Sequence, residues 1–277
     1  MSGSTVSSTV EGVHALAIGN FDGMHLGHAA LFERLGPQGG GLVVEHYRAS
    51  LTPGAYRAAF CDRPLFFYDF EKIRDLSPED FIGHLRVDFP ALRRIVVGED
   101  FRFGAARQGD ARRLAELFDG ETQVVEEVKV GGEGIHTRRI RAIVEKGDVA
   151  TAAEWLGHLY TVWGEVVTGQ GLGSQSLVPT INLKTGRFLL PAAGVYRTDT
   201  QIEGIWHPSV TFVGHRHTTD GAFAVETHLL DGFGGVTKPL TEVAVAWRSF
   251  IRPNRPFATL EALKAQIHKD IEVARER

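Results

Sequence analysis

One segment, residues 19–28, constrains the fold of this chain more than any other. It reads Gly-Asn-Phe-Asp-Gly-Met-His-Leu-Gly-His and follows an apolar run at residues 13–18 that predicts a β-strand. The apolar pattern after it continues to Leu35 and predicts a helix whose first turn carries His25 and His28. A strand that leads through a glycine-rich turn into a helix is the repeating unit of α/β folds.

The same turn is suited to binding a phosphate. Unpaired backbone N–H groups and the positive end of a helix dipole attract an anion. His25 and His28 are spaced i, i+3, so they lie on one side of the turn and add charge-assisted donors. The glycines allow the backbone to approach a ligand closely. The alternative is an ordinary strand-to-helix turn with two surface histidines, but the pattern is intact from residue 20 to residue 28, which favours the phosphate site.

Composition narrows the class of protein. A length of 277 residues suits one large domain or two ordinary ones. The net charge of -4, with scattered Lys and Arg, predicts no nucleic-acid partner. Cys61 is the only cysteine, which excludes an intrachain disulfide and is typical of a reducing compartment. No apolar run reaches the ~18 residues of a membrane helix, and the polar start lacks a signal peptide's apolar segment. We therefore expect a cytoplasmic protein with no membrane partner.

The first 155 residues alternate between strand-like and helix-like stretches, which predicts a parallel sheet covered by helices. The clearest predicted elements are strands at 42–44 and 94–98 and a helix that begins at Ser77, the cap, and Pro78. Ligands of such sheets bind beyond the carboxyl ends of the strands. Residues 19–28 and 98–104 should both lie at that edge.

The pattern changes near residue 156, and the second domain is predicted to span 156–277. Its β-rich runs, separated by glycine and proline turns, lie at 162–168, 194–200, 208–213, 222–230 and 242–247. This pattern is typical of a small antiparallel barrel. A final helix follows, with Thr259 as its cap and an apolar stripe formed by Leu260, Leu263, Ile267 and Ile271.

The residues of the first turn resemble the nucleotidyltransferases with an HxGH signature, and the longer form is similar to bacterial FAD synthetases. Residues 98–104 resemble the Gly-x-Asp-Phe-Arg-Phe-Gly block of the same enzymes. The resemblance implies that Asp100 and Phe103 face the nucleotide or flavin. A structural alternative is a strand that closes on a glycine turn, with Phe101 and Phe103 packed inward.

Two blocks of the first domain depart from the pattern of the FAD synthetases. Residues 135–141 keep Ile135, Ile140 and Arg141 of Ile-Ser-Ser-Thr-x-Ile-Arg, but His136 and Arg138 replace a hydroxyl residue and the Thr. Arginines at a helix start oppose the helix dipole, which indicates an anionic ligand there, or else a solvated basic turn. Residues 44–53 replace the block Phe-x-Pro-His-Pro.

The second domain resembles the riboflavin kinases. Pro179-Thr180-Ile181-Asn182 follows a glycine loop and matches their Pro-Thr-x-Asn motif, whose Thr and Asn oxygens hold the magnesium of the nucleotide. The run from Val225 to Asp231 and the terminal helix with Asp270 occur in the family order. The resemblance assigns the catalytic base to Glu226. Without the surrounding motifs, Glu226 would be an ordinary exposed strand carboxylate.

Together these motifs identify the chain as similar to the bacterial bifunctional riboflavin kinase/FAD synthetases. The resemblance implies a Rossmann-like α/β nucleotidyltransferase domain, residues 1–155, followed by a β-barrel kinase domain with a C-terminal helix. It implies riboflavin, FMN, FAD and ATP as ligands and Mg²⁺ as cofactor. The implied catalytic residues are His25, His28 and Glu226. The implied ligand contacts are Gly19, Asn20, Phe21, Asp22, Gly23, Asp100, Phe103 and Arg141 in the first domain, and Gly171, Gly173, Pro179, Thr180 and Asn182 in the second, with Thr180 and Asn182 on the metal.

Three alternatives remain open. The first is a riboflavin kinase whose first domain binds ligands but no longer adenylylates. The second is a non-catalytic flavin-binding regulatory protein with the same fold. Without the second-domain motifs, a nucleotidyltransferase for another phosphate ester would also fit. The sequence indicates no particular oligomeric state.

Overall fold

The predicted alternation in the first half produces a five-stranded parallel sheet. The computed structural model describes residues 10–168, 178–218, 220–232 and 239–276. The strands of this half are β1 (Ala15–Gly19), β2 (Gly39–Glu45), β3 (Leu65–Asp69), β4 (Arg94–Gly98), β5 (Arg102–Phe103), β6 (Gly109–Asp110), β7 (Glu121–Val125), β8 (Lys129–Val130) and β9 (Glu133–Gly134). The helices are α1 (Leu26–Phe32), α2 (Phe70–Ile73), α3 (Pro78–Asp88), α4 (Ala111–Leu117), α5 (Thr137–Glu145) and α6 (Val149–Leu156), with 3₁₀ turns at Val10–Gly12, Gly54–Phe60 and Ala105–Arg107.

The order of the sheet places the two predicted ligand segments side by side. The strand order is β3-β2-β1-β4-β7, and all four pairings are parallel. The direction of strand order reverses between β1 and β4, which is the switch point where open α/β sheets bind ligands. Because Ala17 is in register with Val96, the ends of β1 and β4 at Gly19 and Gly98 are neighbours. The predicted placement of both segments at this edge is confirmed.

Local signals set the start of α3 at Pro78, as predicted. The Ser77 side chain caps α3 by accepting a hydrogen bond from the Asp80 N–H at 3.0 Å, and Pro78 occupies the first helical position. The buried face of α3, which includes Phe81 and Leu85, packs into the core around Leu16 of β1. The sequence thus placed this helix correctly, because the cap and the proline act on their immediate neighbours.

The second half forms the predicted antiparallel barrel. Its strands are β10 (Tyr160–Val167), β11 (Ile181–Lys184), β12 (Gly194–Ile202), β13 (Ile205–His215), β14 (Phe223–Leu229) and β15 (Glu242–Pro253), followed by the helix α7 (Leu260–Glu276). Within the described residues the strands close in the order β10-β11-β14-β13-β12-β15. Hydroxyl groups fill part of the interior, where Thr227 bonds both Thr200 and Thr211. An inward Thr227 puts its neighbour Glu226 on the outer surface.

The terminal helix agrees with the predicted stripe. The Thr259 hydroxyl accepts a hydrogen bond from the Ala262 N–H at 3.1 Å and so caps α7. Leu263, Ile267 and Ile271 line a cavity beside the barrel. Leu260, the first residue of the predicted stripe, is 47% exposed because it lies at the end of the helix.

The described chain divides into two compact units. One lies within Met1–Arg48 and Thr52–Thr137, and the other within Ala49–Leu51 and Arg138–Arg277. The barrel unit therefore takes in α6 and all of α5 except Thr137, as well as the strands of the barrel. The proposed domain boundary at residue 155 stays a prediction. No helix in the described part of the chain combines the length and the apolar character needed to cross a bilayer.

Candidate functional site

The two histidines of the first turn stack against each other. His25 is the N-cap of α1, one position before the helix, and its Nδ1 accepts a hydrogen bond from the His28 N–H at 3.3 Å. The imidazole centroids are 3.5 Å apart, with an angle of 19° between the planes. A side chain at Gly27 would place its Cβ 3.1 Å from the His25 ring, so this position favours glycine. The sequence predicted both histidines within the first helical turn, whereas His25 caps the helix.

The other residues of the motif build the turn that carries the histidines. The Asn20 amide donates to the Val44 carbonyl at 2.8 Å, and the buried Asp22 carboxylate accepts from the Thr52 N–H at 2.9 Å. Phe21 is buried and adopts a φ of 52°, a region that bulky residues rarely occupy. Gly23, with a φ of 86°, completes the turn. The predicted ligand contacts of these residues stay predictions.

His28 is poised as a neutral imidazole. Burial, the neighbouring His25 ring and the positive charge of Arg57 hold the pKa of the His28 ring well below its usual value. Its Nδ1 is buried and has no hydrogen-bond partner among the described residues. A buried nitrogen without a partner carries a desolvation cost that a bound polar group can offset.

The altered block at 135–141 supports the turn through Thr137, the first residue of α5. The Thr137 hydroxyl donates to the Asp22 carbonyl at 3.2 Å and lies 3.3 Å from Nε2 of His25. His136, one of the departures, pairs with Glu127 at 2.7 Å. Arg141 belongs to the second unit, where its Nη1 donates to the Ala49 carbonyl at 2.8 Å, and its role in triphosphate binding stays a prediction.

The block at 98–104 matches the structural alternative in its packing. Phe103 is 6% exposed and packs beside Phe81, with 5.4 Å between ring centroids, and beside Phe101. Asp100, by contrast, is exposed. A contact of either residue with a ligand stays a prediction.

In the second unit, a cavity lined by apolar and polar side chains brings several predicted residues together. Thr180 and Glu226 line it, together with residues of α7. Asn182 on β11 is the register partner of Glu226 on β14, so their side chains share one face of the barrel. The His228 ring bonds the Pro179 carbonyl at 2.7 Å, which ties the Pro-Thr-x-Asn segment to the same strand.

This donor set fits a magnesium nucleotide. Mg²⁺ prefers oxygen ligands and keeps several of its waters, and it usually takes its remaining ligands from phosphates. Thr180 and Asn182 offer two neutral oxygens beside the carboxylate of Glu226. Gly171 and Gly173, predicted to bind the nucleotide or flavin, lie outside the described residues.

Arg216 is a site residue that the sequence reasoning missed. Its Nη1 lies 2.9 Å from the Glu226 carboxylate, and its Nη2 lies 2.9 Å from the Asp220 carboxylate. Burial raises the pKa of Glu226, although the Arg216 guanidinium opposes that shift. The arginine lies just after a predicted strand and belongs to none of the quoted motifs, so only the hairpin between β13 and β14 reveals its partner.

Asp270 joins the terminal helix to the barrel. Its carboxylate accepts hydrogen bonds from Nε and Nη2 of Arg252 at 2.9 and 2.8 Å, and its side chain is 4% exposed against 16% for Arg252.

We expect Asp270→Ala to lower the free energy of unfolding of this unit by about 2 kcal/mol. The loss is smaller than for a fully buried pair because Arg252 keeps some contact with water. Glu272→Ala, an exposed change on the same helix, should leave stability unchanged.

Tryptophan fluorescence during urea unfolding measures this effect in the second unit alone. All four tryptophans of the chain belong to that unit, at Trp155, Trp163, Trp206 and Trp247. An Asp270→Ala protein with the urea midpoint of the parent would contradict the prediction.

Comparisons with known proteins extend over both units. A family model for riboflavin kinase matches residues 156–277, and one for FAD synthetase matches residues 62–139. The second match begins after the altered block at 44–53. Curated proteins named bifunctional riboflavin kinase/FMN adenylyltransferase are similar over most of the chain. The one from Pseudomonas fluorescens is 32% identical over 93% of this chain and 91% of its own length.

Two further proteins are similar over nearly the whole chain. The Escherichia coli (strain K12) protein of that name is 32% identical over 94% of this chain and 91% of its own length. A crystal structure described as a macrolide-efflux protein from Streptococcus pneumoniae matches with a TM-score of 0.82 at 26% identity, over 96% of this chain and 94% of that one.

Proposed function

The chain belongs to the family of bifunctional riboflavin kinase/FMN adenylyltransferases, and from that premise we propose how its residues divide the two reactions. The enzyme phosphorylates riboflavin with ATP to give FMN, and it adenylylates FMN with a second ATP to give FAD and pyrophosphate. The observation that carries this conclusion is the presence of both matched regions, kinase and FAD synthetase, in one chain.

For the kinase reaction, we propose Glu226 as the general base. Its carboxylate takes the proton from the 5'-hydroxyl of riboflavin as that oxygen attacks the γ-phosphorus, and ADP leaves. Arg216 orients the carboxylate and favours its ionised form in a partly buried setting. Thr180 and Asn182 would hold Mg²⁺, which supplies charge neutralisation on the phosphates.

For the adenylyl transfer, we propose that His25 and His28 stabilise the charge that develops on the phosphates. An FMN phosphate oxygen attacks the α-phosphorus of ATP, a new O–P bond forms, and the bond to the β-phosphate oxygen breaks. Because FMN itself is the nucleophile, the protein needs no covalent intermediate. Catalysis is then positioning plus preorganised donors, and the stacked histidines supply such donors.

Chromatography of the products tests both activities. Purified protein incubated with riboflavin, ATP and magnesium should form FMN and then FAD. FMN as the sole product, even when FMN is supplied as substrate, would reduce the protein to a riboflavin kinase. Flavin binding without turnover would favour the non-catalytic alternative.

We also propose that the protein is cytoplasmic and has no nucleic-acid or membrane partner. The scattered charges and the single cysteine support this proposal.

The ion pair at Glu226 predicts a pH effect. Removing the cation in Arg216→Met should raise the pKa of Glu226 further, so the acidic limb of the kcat/KM profile for riboflavin phosphorylation should move to higher pH. Above that limb the base is ionised in both proteins. Arg248→Met, which removes an exposed arginine paired with Asp199 on the barrel, is the matched control. A limb at the same pH in Arg216→Met and the parent would contradict the role of Arg216.

A further inference from the structure

The altered block at 44–53 leads into a buried ion pair. Arg57 lies in the 3₁₀ turn Gly54–Phe60 with 0% of its side chain exposed, and Glu45 at the end of β2 has 6% exposed. Their Nη1 and Oε2 atoms are 2.5 Å apart. Charged side chains are almost never fully buried unless paired, and taking both charges out of water is costly. Such a pair therefore needs an explanation beyond packing.

The guanidinium is directed at the backbone of the histidine turn. Nε of Arg57 donates to the Phe21 carbonyl at 3.2 Å, while Nη1 also reaches the Gly54 carbonyl at 3.1 Å. The same Phe21 oxygen accepts from the Met24 N–H at 3.3 Å. Phe21 and Met24 both have positive φ, 52° and 45°, although neither is glycine. Strained conformations of this kind persist only where surrounding contacts hold them.

We propose that Arg57, fixed by Glu45, is a positioning residue for adenylyl transfer that holds the Phe21 carbonyl and with it the turn that carries His25 and His28. The inference rests on the proposed function of that turn. Glu45 lies within the block at 44–53 that replaces Phe-x-Pro-His-Pro, and Arg57 lies just after it. The proposal therefore gives this altered part of the chain a role in positioning the histidines. The cation has a second effect. Burial is the main reason that the pKa of His28 is lowered, and the positive charge of Arg57 lowers it further.

The double variant Glu45→Leu/Arg57→Met separates positioning from stability. Replacing both members of a buried pair by apolar side chains of similar volume often preserves stability, whereas removing one member leaves an uncompensated charge. We expect the double variant to melt near the parent temperature and to form FMN at the parent rate. Its kcat/KM for FAD formation should fall about 100-fold, because the histidines are no longer held in place. Differential scanning calorimetry and the two product assays on the full-length protein measure these values.

The pH profile distinguishes misplacement from partial unfolding. Without the Arg57 cation the pKa of His28 rises, so the acidic limb of kcat/KM for FAD formation should move to higher pH in the double variant. Loss of folded protein would lower the whole profile without moving it. Arg57→Lys keeps the charge but replaces the separate Nε and Nη1 donors of the guanidinium by a single ammonium nitrogen. We expect about a tenfold loss with the limb unmoved.

The matched control is Arg63→Met, which removes an arginine three residues after the 3₁₀ turn. The Arg63 side chain is 28% exposed, so this variant should form FMN and FAD at the parent rates. The inference would be overturned if both the double variant and Arg57→Lys made FAD at the parent rate. It would also be overturned if the double variant lost activity while the acidic limb of its pH profile stayed in place. Failure of the proposed function would appear differently, as a parent protein that makes no FAD.

Discussion

We expect His28→Ala to lower kcat/KM for the conversion of FMN to FAD by about 1,000-fold and to leave riboflavin phosphorylation unchanged. The ring lost is the one that stacks on His25 and carries a buried nitrogen without a partner in the described residues. A preorganised donor of this kind acts on charge that appears only in the transition state, so its removal lowers the rate of chemistry more than it weakens substrate binding. Separate assays of FMN formation from riboflavin and FAD formation from FMN measure the two activities.

The control for this variant is His84→Ala, which removes an exposed histidine on α3 in the same unit. It should retain both activities. Equal loss of both activities in His28→Ala would argue against separate sites, and full FAD synthesis would remove His28 from the adenylyl-transfer chemistry.

Glu226→Gln has the opposite selectivity. The amide keeps the size of the side chain and an oxygen for Arg216, but it cannot accept a proton from riboflavin. We expect FMN formation to fall by about 1,000-fold, within the range typical for loss of a general base. FAD formation should persist when FMN is supplied, because His25 and His28 remain. Riboflavin turnover and FMN turnover are assayed on the same preparation.

Glu165→Gln, which changes an exposed carboxylate on β10, is the matched control and should leave both rates unaltered. Retained kinase activity in Glu226→Gln would show that another group takes the proton. Simultaneous loss of FAD formation would indicate a fold defect, since the proposed adenylyl-transfer residues lie in the other unit.

Elements with strong local signals were predictable. The helix at Ser77 and Pro78 has its cap and first-turn proline written in adjacent residues, and β4 coincides with an apolar run that ends on glycine. β3, β7 and β11 were not predicted. β3 and β7 are the edge strands of the sheet, where one side has no neighbour, and the four residues of β11 were assigned only to a motif. Such strands depend on a partner that is distant in sequence.

The burial of Arg57 and Glu45 could not be predicted from the sequence. Neither residue belongs to a periodic pattern, and a charged residue near a glycine turn is usually exposed. The tertiary structure also decided the packing of Phe103, whose side chain lies in the core of its unit. The ligand contact that family resemblance implies for Phe103 stays a prediction.

The sequence by itself determined the two-part architecture, the family and the identity of the residues in each motif, because strands, caps and turns depend on neighbours within a few positions. Only the tertiary structure decided which groups meet: Asn182 opposite Glu226, Arg216 on that carboxylate, Thr137 beside His25, and Arg57 on the Phe21 carbonyl. Three of these contacts join residues that are far apart along the chain, and Arg216 meets Glu226 across the hairpin between β13 and β14. Strand register and burial bring them together, and no local pattern encodes either.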